Sequence, residues 1–227
     1  MARFSRLEVL NTIVETGLVP LFYHSDIAVA KNIAEAIAAG GARVLEFTNR
    51  GDFAPLVFAE LSQYLAKTNS NIILGAGSVM DAPTAAMYIA SGANFIVSSI
   101  LNPEVALLCN RRKIAYSPGC GSASEIARAE ELGVEIVKLF PGDSVGGPKF
   151  VKAILGPSPW TRIMPTGGVE TTKENIAAWF KAGTAAVGIG SNLIRNDLIA
   201  ASDYATITAT TAEVLSWIRE VRADMKR

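Results

Sequence analysis

Short apolar, β-branched runs alternate with longer amphipathic runs along nearly the whole chain. The runs at 19–23, 44–48, 72–76, 95–98, 114–117, 136–140, 162–165 and 185–189 read as strands, because branched and aromatic side chains suit a pleated, half-buried surface. The stretches at 27–39, 54–67, 82–91, 104–111, 124–132, 149–155, 173–182 and 205–222 carry apolar residues at helical spacing. One more helix at 6–16 leads the series, and a polar loop separates the last strand from the last helix. Gly40, Gly92, Gly133 and Gly183 stand where helices end, so a left-handed closing residue is expected at each. Strand alternating with helix predicts a parallel sheet. Eight such units in this length predict a closed (β/α)8 TIM barrel with an extra N-terminal helix. The expected organisation is one barrel domain over 1–227, with 1–16 as the leading helix and about 196–227 as a C-terminal helical segment.

Composition supports one compact domain: 50% of the 227 residues are hydrophobic and 19% charged. The formal net charge of +0 offers no global field to draw in nucleic acid or a membrane surface. No apolar run approaches the roughly eighteen residues of a membrane span. The opening MARFSRLEVLNTIVETG lacks the continuous apolar core of a signal peptide, so a cytoplasmic protein is expected. Cys109 and Cys120 show neither framework nor metal spacing and are expected as free thiols in a reducing compartment.

Chemistry in such barrels sits at the carboxyl ends of the strands, and three features stand there. Lys138 interrupts an otherwise apolar sixth strand. Period two places Ile136, Lys138 and Phe140 on one side and Val137 and Leu139 on the other. The lysine either snorkels or pairs with a carboxylate, or acts as a nucleophile: desolvation disfavours its ammonium form, and a neutral amine attacks a ketone to form a Schiff base. On the second strand Glu46, Thr48 and Arg50 share parity with Val44. Glu46 suits a general acid/base, Arg50 a bidentate grip on a carboxylate, and a Glu46–Arg50 or Glu46–Lys138 ion pair would satisfy buried charge. Glycine-rich turns follow the third, seventh and eighth strands. The first places Ser78 at the mouth, and the others bring Gly167, Gly168, Gly190 and Ser191, at the two strands where barrels often bind phosphate through backbone N–H groups.

From about Gly17 to Leu193 the chain resembles the 2-keto-3-deoxy-6-phosphogluconate (KDPG) and 4-hydroxy-2-oxoglutarate (KHG) aldolases, through ARVLEFTNR, GAGSV, SPGCGSASE, VKLFP, MPTGGV and VGIGS in family order. VKLFP with an upstream E-x-T-x-R is the specific part. The resemblance implies a class I aldolase in which Lys138 is the Schiff-base lysine and Glu46 the general acid/base. Arg50, and Ser78 in place of the usual threonine, would hold the substrate carboxylate, with Phe140 lining the pocket. Gly167, Gly168, Gly190 and Ser191 would take phosphate. It further implies a small phosphorylated 2-keto acid as substrate, no metal or organic cofactor, and a homotrimer. The chain departs from the family pattern at Ser99 and Ile100, where proline–glycine is usual, and at Tyr23 and His24, where some members carry arginine or an aliphatic residue. Other readings of the same residues are a C4-epimeric galactonate-type aldolase, a sugar-phosphate isomerase or synthase, and a non-catalytic phosphometabolite-binding barrel.

Overall fold

The computed structural model describes residues 2–68 and 70–225. Helix α1 (Arg6–Thr16) leads. There follow β1 (Leu18–Phe22), α2 (Ile27–Ala39), β2 (Val44–Thr48), α3 (Ala54–Lys67), β3 (Ile73–Gly77), α4 (Ala82–Ala90), β4 (Phe95–Val97) and α5 (Pro103–Arg112). The second half holds β5 (Ala115–Ser117), β6 (Gly119–Cys120), α6 (Ala123–Glu131), β7 (Val137–Leu139), α7 (Gly147–Leu155), β8 (Ile163–Pro165), α8 (Lys173–Lys181), β9 (Val187–Ile189), α9 (Asn196–Ala200) and α10 (Tyr204–Asp224).

All strand pairs are parallel, in the orders β5-β4-β3-β2-β1-β9 and β6-β7-β8. The two sheets are parts of one ring. β5 lies within the strand predicted at 114–117, and β6 continues it past Pro118, which has no N–H to give the ladder, although its carbonyl still accepts from Lys138 N at 3.0 Å. On the other side a Thr166–Gly188 bridge, and the Ala185 N–H bonded to Ile163 O at 2.9 Å, join β8 to β9. The barrel expected from the strand–helix alternation is therefore present, with its fifth strand in two pieces.

Strand parity sorts the core into two clusters. Val19, Val44, Ile73, Phe95, Val97, Ala115, Ile136, Met164 and Ala186 fill the barrel interior together with Val9, Leu10 and Ile13 of α1. The leading helix is thus a plug across the amino end of the barrel, which leaves only the carboxyl end for a site. Residues of the opposite parity, Leu45, Phe47, Leu74, Val137 and Leu139 among them, join the helices in the outer cluster. Helix starts follow local chemistry: Asp26 accepts from Ala28 N and Val29 N, and Asp81, Asn102, Ser122 and Thr172 cap their helices in the same way.

Three expectations about local structure need correction. Gly92, Gly133 and Gly183 are left-handed as predicted, with φ of 102°, 81° and 102°, but Gly40 has φ −72° and the left-handed residue is Gly41. Gly40 instead lets α10 approach α2: a Cβ there would meet Thr211 Cβ at 2.6 Å and Thr208 O at 2.7 Å. Gly40→Ala is expected to cost about 1–3 kcal/mol through overpacking, seen as a lower Tm with kcat unchanged; an unaltered Tm would refute the close-packing role. The region read as a polar loop contains α9, a five-residue helix. The sixth predicted strand is shorter than expected, so Phe140 lies just past β7. Among the described residues no helix is long and apolar enough to cross a membrane.

Candidate active site

The strand parity that turns Val44 inward also turns Glu46 inward, one register step closer to the open end. Ile136 and Lys138 are related in the same way on β7. Both charged side chains are buried, Glu46 at 1% and Lys138 at 5% exposure. Space for the carboxyl comes from Gly77 on the neighbouring strand, where a Cβ would lie 1.7 Å from Glu46 Oε1. Gly77 has no positive φ to explain its glycine, so clearance for Glu46 does. Lys138 Nζ rests 4.9 Å from the centroid of the Phe140 ring, a cation–π distance.

The ion pair considered for Glu46 does not form. Among the described residues no salt bridge involves Glu46, Lys138 or Arg50, and the buried Glu46 Oε1 has no hydrogen-bond partner. The carboxyl lies over Gly77 while the amine lies against Phe140, so the two act on each other only through space. Burial pushes the Glu46 carboxyl above its ordinary value, with Lys138 and then Arg50 pulling it back. Burial likewise pushes the Lys138 amine down, with Glu46 opposing that shift and Arg50 adding to it. Desolvation leads in both, so the site favours a neutral amine beside a protonatable carboxyl. Neither cysteine competes as nucleophile: Cys109 and Cys120 are buried free thiols, each pushed by burial up to about 12.

Above this pair opens a cavity of about 440 Å³. Its wall includes Tyr23, Arg50, Phe140 and Thr166 and the turns carrying Gly167, Gly168, Gly190 and Ser191. Lys138 and Glu46 lie outside that wall, and Phe140 is the link, lining the cavity with the ring that faces the lysine amine. Arg50 lies beyond the end of β2, its N–H bonded to Thr48 O at 2.9 Å, with its guanidinium exposed at the mouth. Thr48 points inward as its parity requires, but its hydroxyl is spent on Phe22 O at 3.2 Å, which ties β2 to β1.

The two turns meet their neighbours closely. Gly167 and Gly168 have φ of 88° and 73°, and a Cβ on Gly168 would sit 2.2 Å from Asp143 Cβ, so both conformation and space require glycine. Asn192 clasps the turns together, giving Nδ2–H to Val169 O at 2.9 Å and accepting at its own carbonyl from Thr171 Oγ1 at 3.3 Å. Among the described residues the backbone N–H groups of Gly168, Ser191 and Asn192 donate to no other backbone carbonyl. That leaves three donors beside one cavity, an arrangement suited to an anion.

Not every expected position reaches the cavity. Ser78 is half-buried and outside the wall, with the unusual φ of 57°. Ser99 gives its hydroxyl to Met80 Sδ, and Ile100 is exposed; neither lines the cavity. His24 Nδ1 accepts from Asp26 N at 3.0 Å, an ordinary strand-end turn contact. Sequence reasoning missed Thr166 and Asn192. Thr166 shares parity with the inward Met164 inside MPTGGV, so its position was readable; its buried Oγ1 has no partner.

Comparison with known proteins agrees with this architecture. The family model described as KDPG and KHG aldolase matches residues 9–210. The chain belongs to the KDPG and KHG aldolase family. Among its relatives is a 2-dehydro-3-deoxy-phosphogluconate aldolase of Treponema pallidum, 31% identical over 92% of this chain and 97% of the relative. A KHG/KDPG aldolase of Escherichia coli is 31% identical over 90% of this chain and 94% of its own. A solved KDPG aldolase of Legionella pneumophila, with pyruvate captured as a covalent carbinolamine, matches with a TM-score of 0.81 at 28% identity, covering 90% of this chain and 97% of that one.

Proposed function

We propose that the protein is a Schiff-base aldolase that cleaves KDPG to pyruvate and glyceraldehyde 3-phosphate, or KHG to pyruvate and glyoxylate. The observation that carries this reading is the unpaired Lys138 amine, desolvated and adjoining a buried carboxyl. Lys138 Nζ adds to the C2 carbonyl, and the carbinolamine loses water to give an iminium. Glu46 takes the C4 hydroxyl proton as the C3–C4 bond breaks, and its electron pair moves into the iminium to give an enamine and a free aldehyde. Glu46 returns a proton to C3, and water releases pyruvate and the amine. Arg50 holds the substrate carboxylate from the cavity wall. The free N–H groups of the turns carrying Gly167, Gly168, Gly190 and Ser191 hold the phosphate. A homotrimer, which rests on family resemblance, and a cytoplasmic location, which rests on the sequence pattern of the opening residues, are part of the same reading.

The test is reduction with borohydride in the presence of pyruvate. The expected result is a protein mass increased by one reduced pyruvyl group, mapped to the peptide carrying Lys138. A sugar-phosphate isomerase or synthase on the same barrel would show no such adduct, and its absence would overturn the proposal.

A further inference from the structure

We infer that Tyr23 determines which aldehyde half the site accepts, by hydrogen-bonding a hydroxyl carried between the reacting carbon and the phosphate. The inference rests on the aldolase reading and extends it.

The sheet order supplies the first argument. β1 lies between β2 and β9, so Tyr23, at the end of β1, stands between Arg50 beyond β2 and the Gly190 and Ser191 turn beyond β9. All of these line one cavity. A substrate with its carboxylate at Arg50 and its phosphate at the turns must pass its middle carbons across Tyr23. Those carbons carry hydroxyl groups in KDPG; in KHG the chain ends in a carboxylate one carbon beyond the reacting hydroxyl.

The phenol is also held in place, with its hydroxyl left available. The Tyr23 ring packs edge-on against Phe47, with centroids 5.7 Å apart at 63°, and Phe47 in turn packs against Phe22 and Phe58. At the other end the Tyr23 hydroxyl lies over Gly51, where a Cβ would fall 2.0 Å from the oxygen. Gly51 has no positive φ, so its missing side chain is explained by the phenol above it. The Tyr23 hydroxyl is therefore placed by packing at both ends and, among the described residues, is not engaged in a hydrogen bond. A fixed donor and acceptor of this kind selects for a hydroxyl, because a ligand without one leaves it unpaired.

The experiment compares the wild type with Tyr23→Phe, which keeps the ring and its packing. kcat/KM is measured for KDPG and for KHG, alongside borohydride trapping of pyruvate and Tm. The expected result is a ratio of KDPG to KHG efficiency that falls about tenfold, equivalent to about 1.4 kcal/mol, with pyruvate trapping retained and Tm unchanged. An equal fall on both substrates, no fall on either, or a lower Tm accompanying the loss would overturn the specificity role while leaving the aldolase reading intact. A wild type that forms no pyruvate adduct would instead remove the aldolase reading, and the Tyr23 inference with it.

Discussion

Lys138→Met is expected to abolish turnover and pyruvate trapping and, at the same time, to raise Tm. The catalytic loss follows from removing the only buried amine at the site; loss of a covalent nucleophile costs at least about 10⁴-fold in rate in comparable machinery. The stability gain follows from the same burial. Lys138 is 5% exposed, without an ion-pair partner among the described residues, and methionine fills a similar volume without a charge to desolvate. Removing an imperfectly compensated buried charge is worth about 1 kcal/mol or more. The pH dependence has a definite sign. The unfolded chain holds the lysine proton up to about 10.5, whereas the folded chain releases it at lower pH. Folding is therefore penalised below the folded pKa, and the penalty fades as pH rises toward 10.5. The Tm gain of the variant should be largest below the folded pKa of Lys138 and shrink as pH rises toward 10.5. Calorimetry across pH, with mass spectrometry after borohydride, checks both halves. A variant that still forms the adduct would assign the imine to another amine, and a lower Tm would make Lys138 a structural residue.

The parts of this site that were legible in the sequence are those governed by one strand at a time. Parity grouped Glu46 and Thr48 with the inward Val44, and Lys138 with Ile136, and the barrel interior holds Val44 and Ile136. The glycine turn after the seventh strand was legible because φ of 88° and 73° at Gly167 and Gly168 excludes most other residues. Features that depend on two distant strands were not legible. Gly77 read as part of a turn and Gly51 was not singled out, yet their absent side chains make room for Glu46 and Tyr23, which lie on neighbouring strands. Gly40 read as a helix end for the same reason, since its neighbour Thr211 comes from the far end of the chain. The salt bridge considered for Glu46 is absent because where a carboxyl tip and an ammonium tip come to rest depends on Gly77 and Phe140, and parity speaks only to the side of the strand. α9, at five residues, is too short for periodicity to announce. The leading helix was predicted as a helix, but its role as the barrel plug follows only once the ring closes around Val9, Leu10 and Ile13.

Glu46→Gln separates making the imine from using it. The amide keeps the shape over Gly77, so Lys138 keeps its surroundings. Removing the carboxylate also removes the neighbour that holds the Lys138 pKa up, so the amine shifts further toward its neutral form. Pyruvate trapping should therefore persist. Proton transfer at C3 and at the C4 hydroxyl should not, and kcat for cleavage is expected to fall about 10²–10⁴-fold, the range for loss of a positioned acid/base. Exchange of the pyruvate methyl protons in D2O, which needs only donor-half chemistry, should fall by a similar factor. In the wild type, ionised Glu46 begins cleavage, so the acid limb of kcat should lie above the ordinary carboxylate value of 4.5 and be missing from the variant. The stability test runs with the opposite sign to that for Lys138. A carboxyl whose folded pKa is raised favours folding below its unfolded pKa and loses that contribution as pH rises through the folded value. The Tm of Glu46→Gln relative to wild type should accordingly climb as the wild-type carboxyl ionises. Wild-type exchange rates in the variant would place the base elsewhere. Loss of trapping together with a depressed Tm would mean that Glu46 acts by holding the lysine in position.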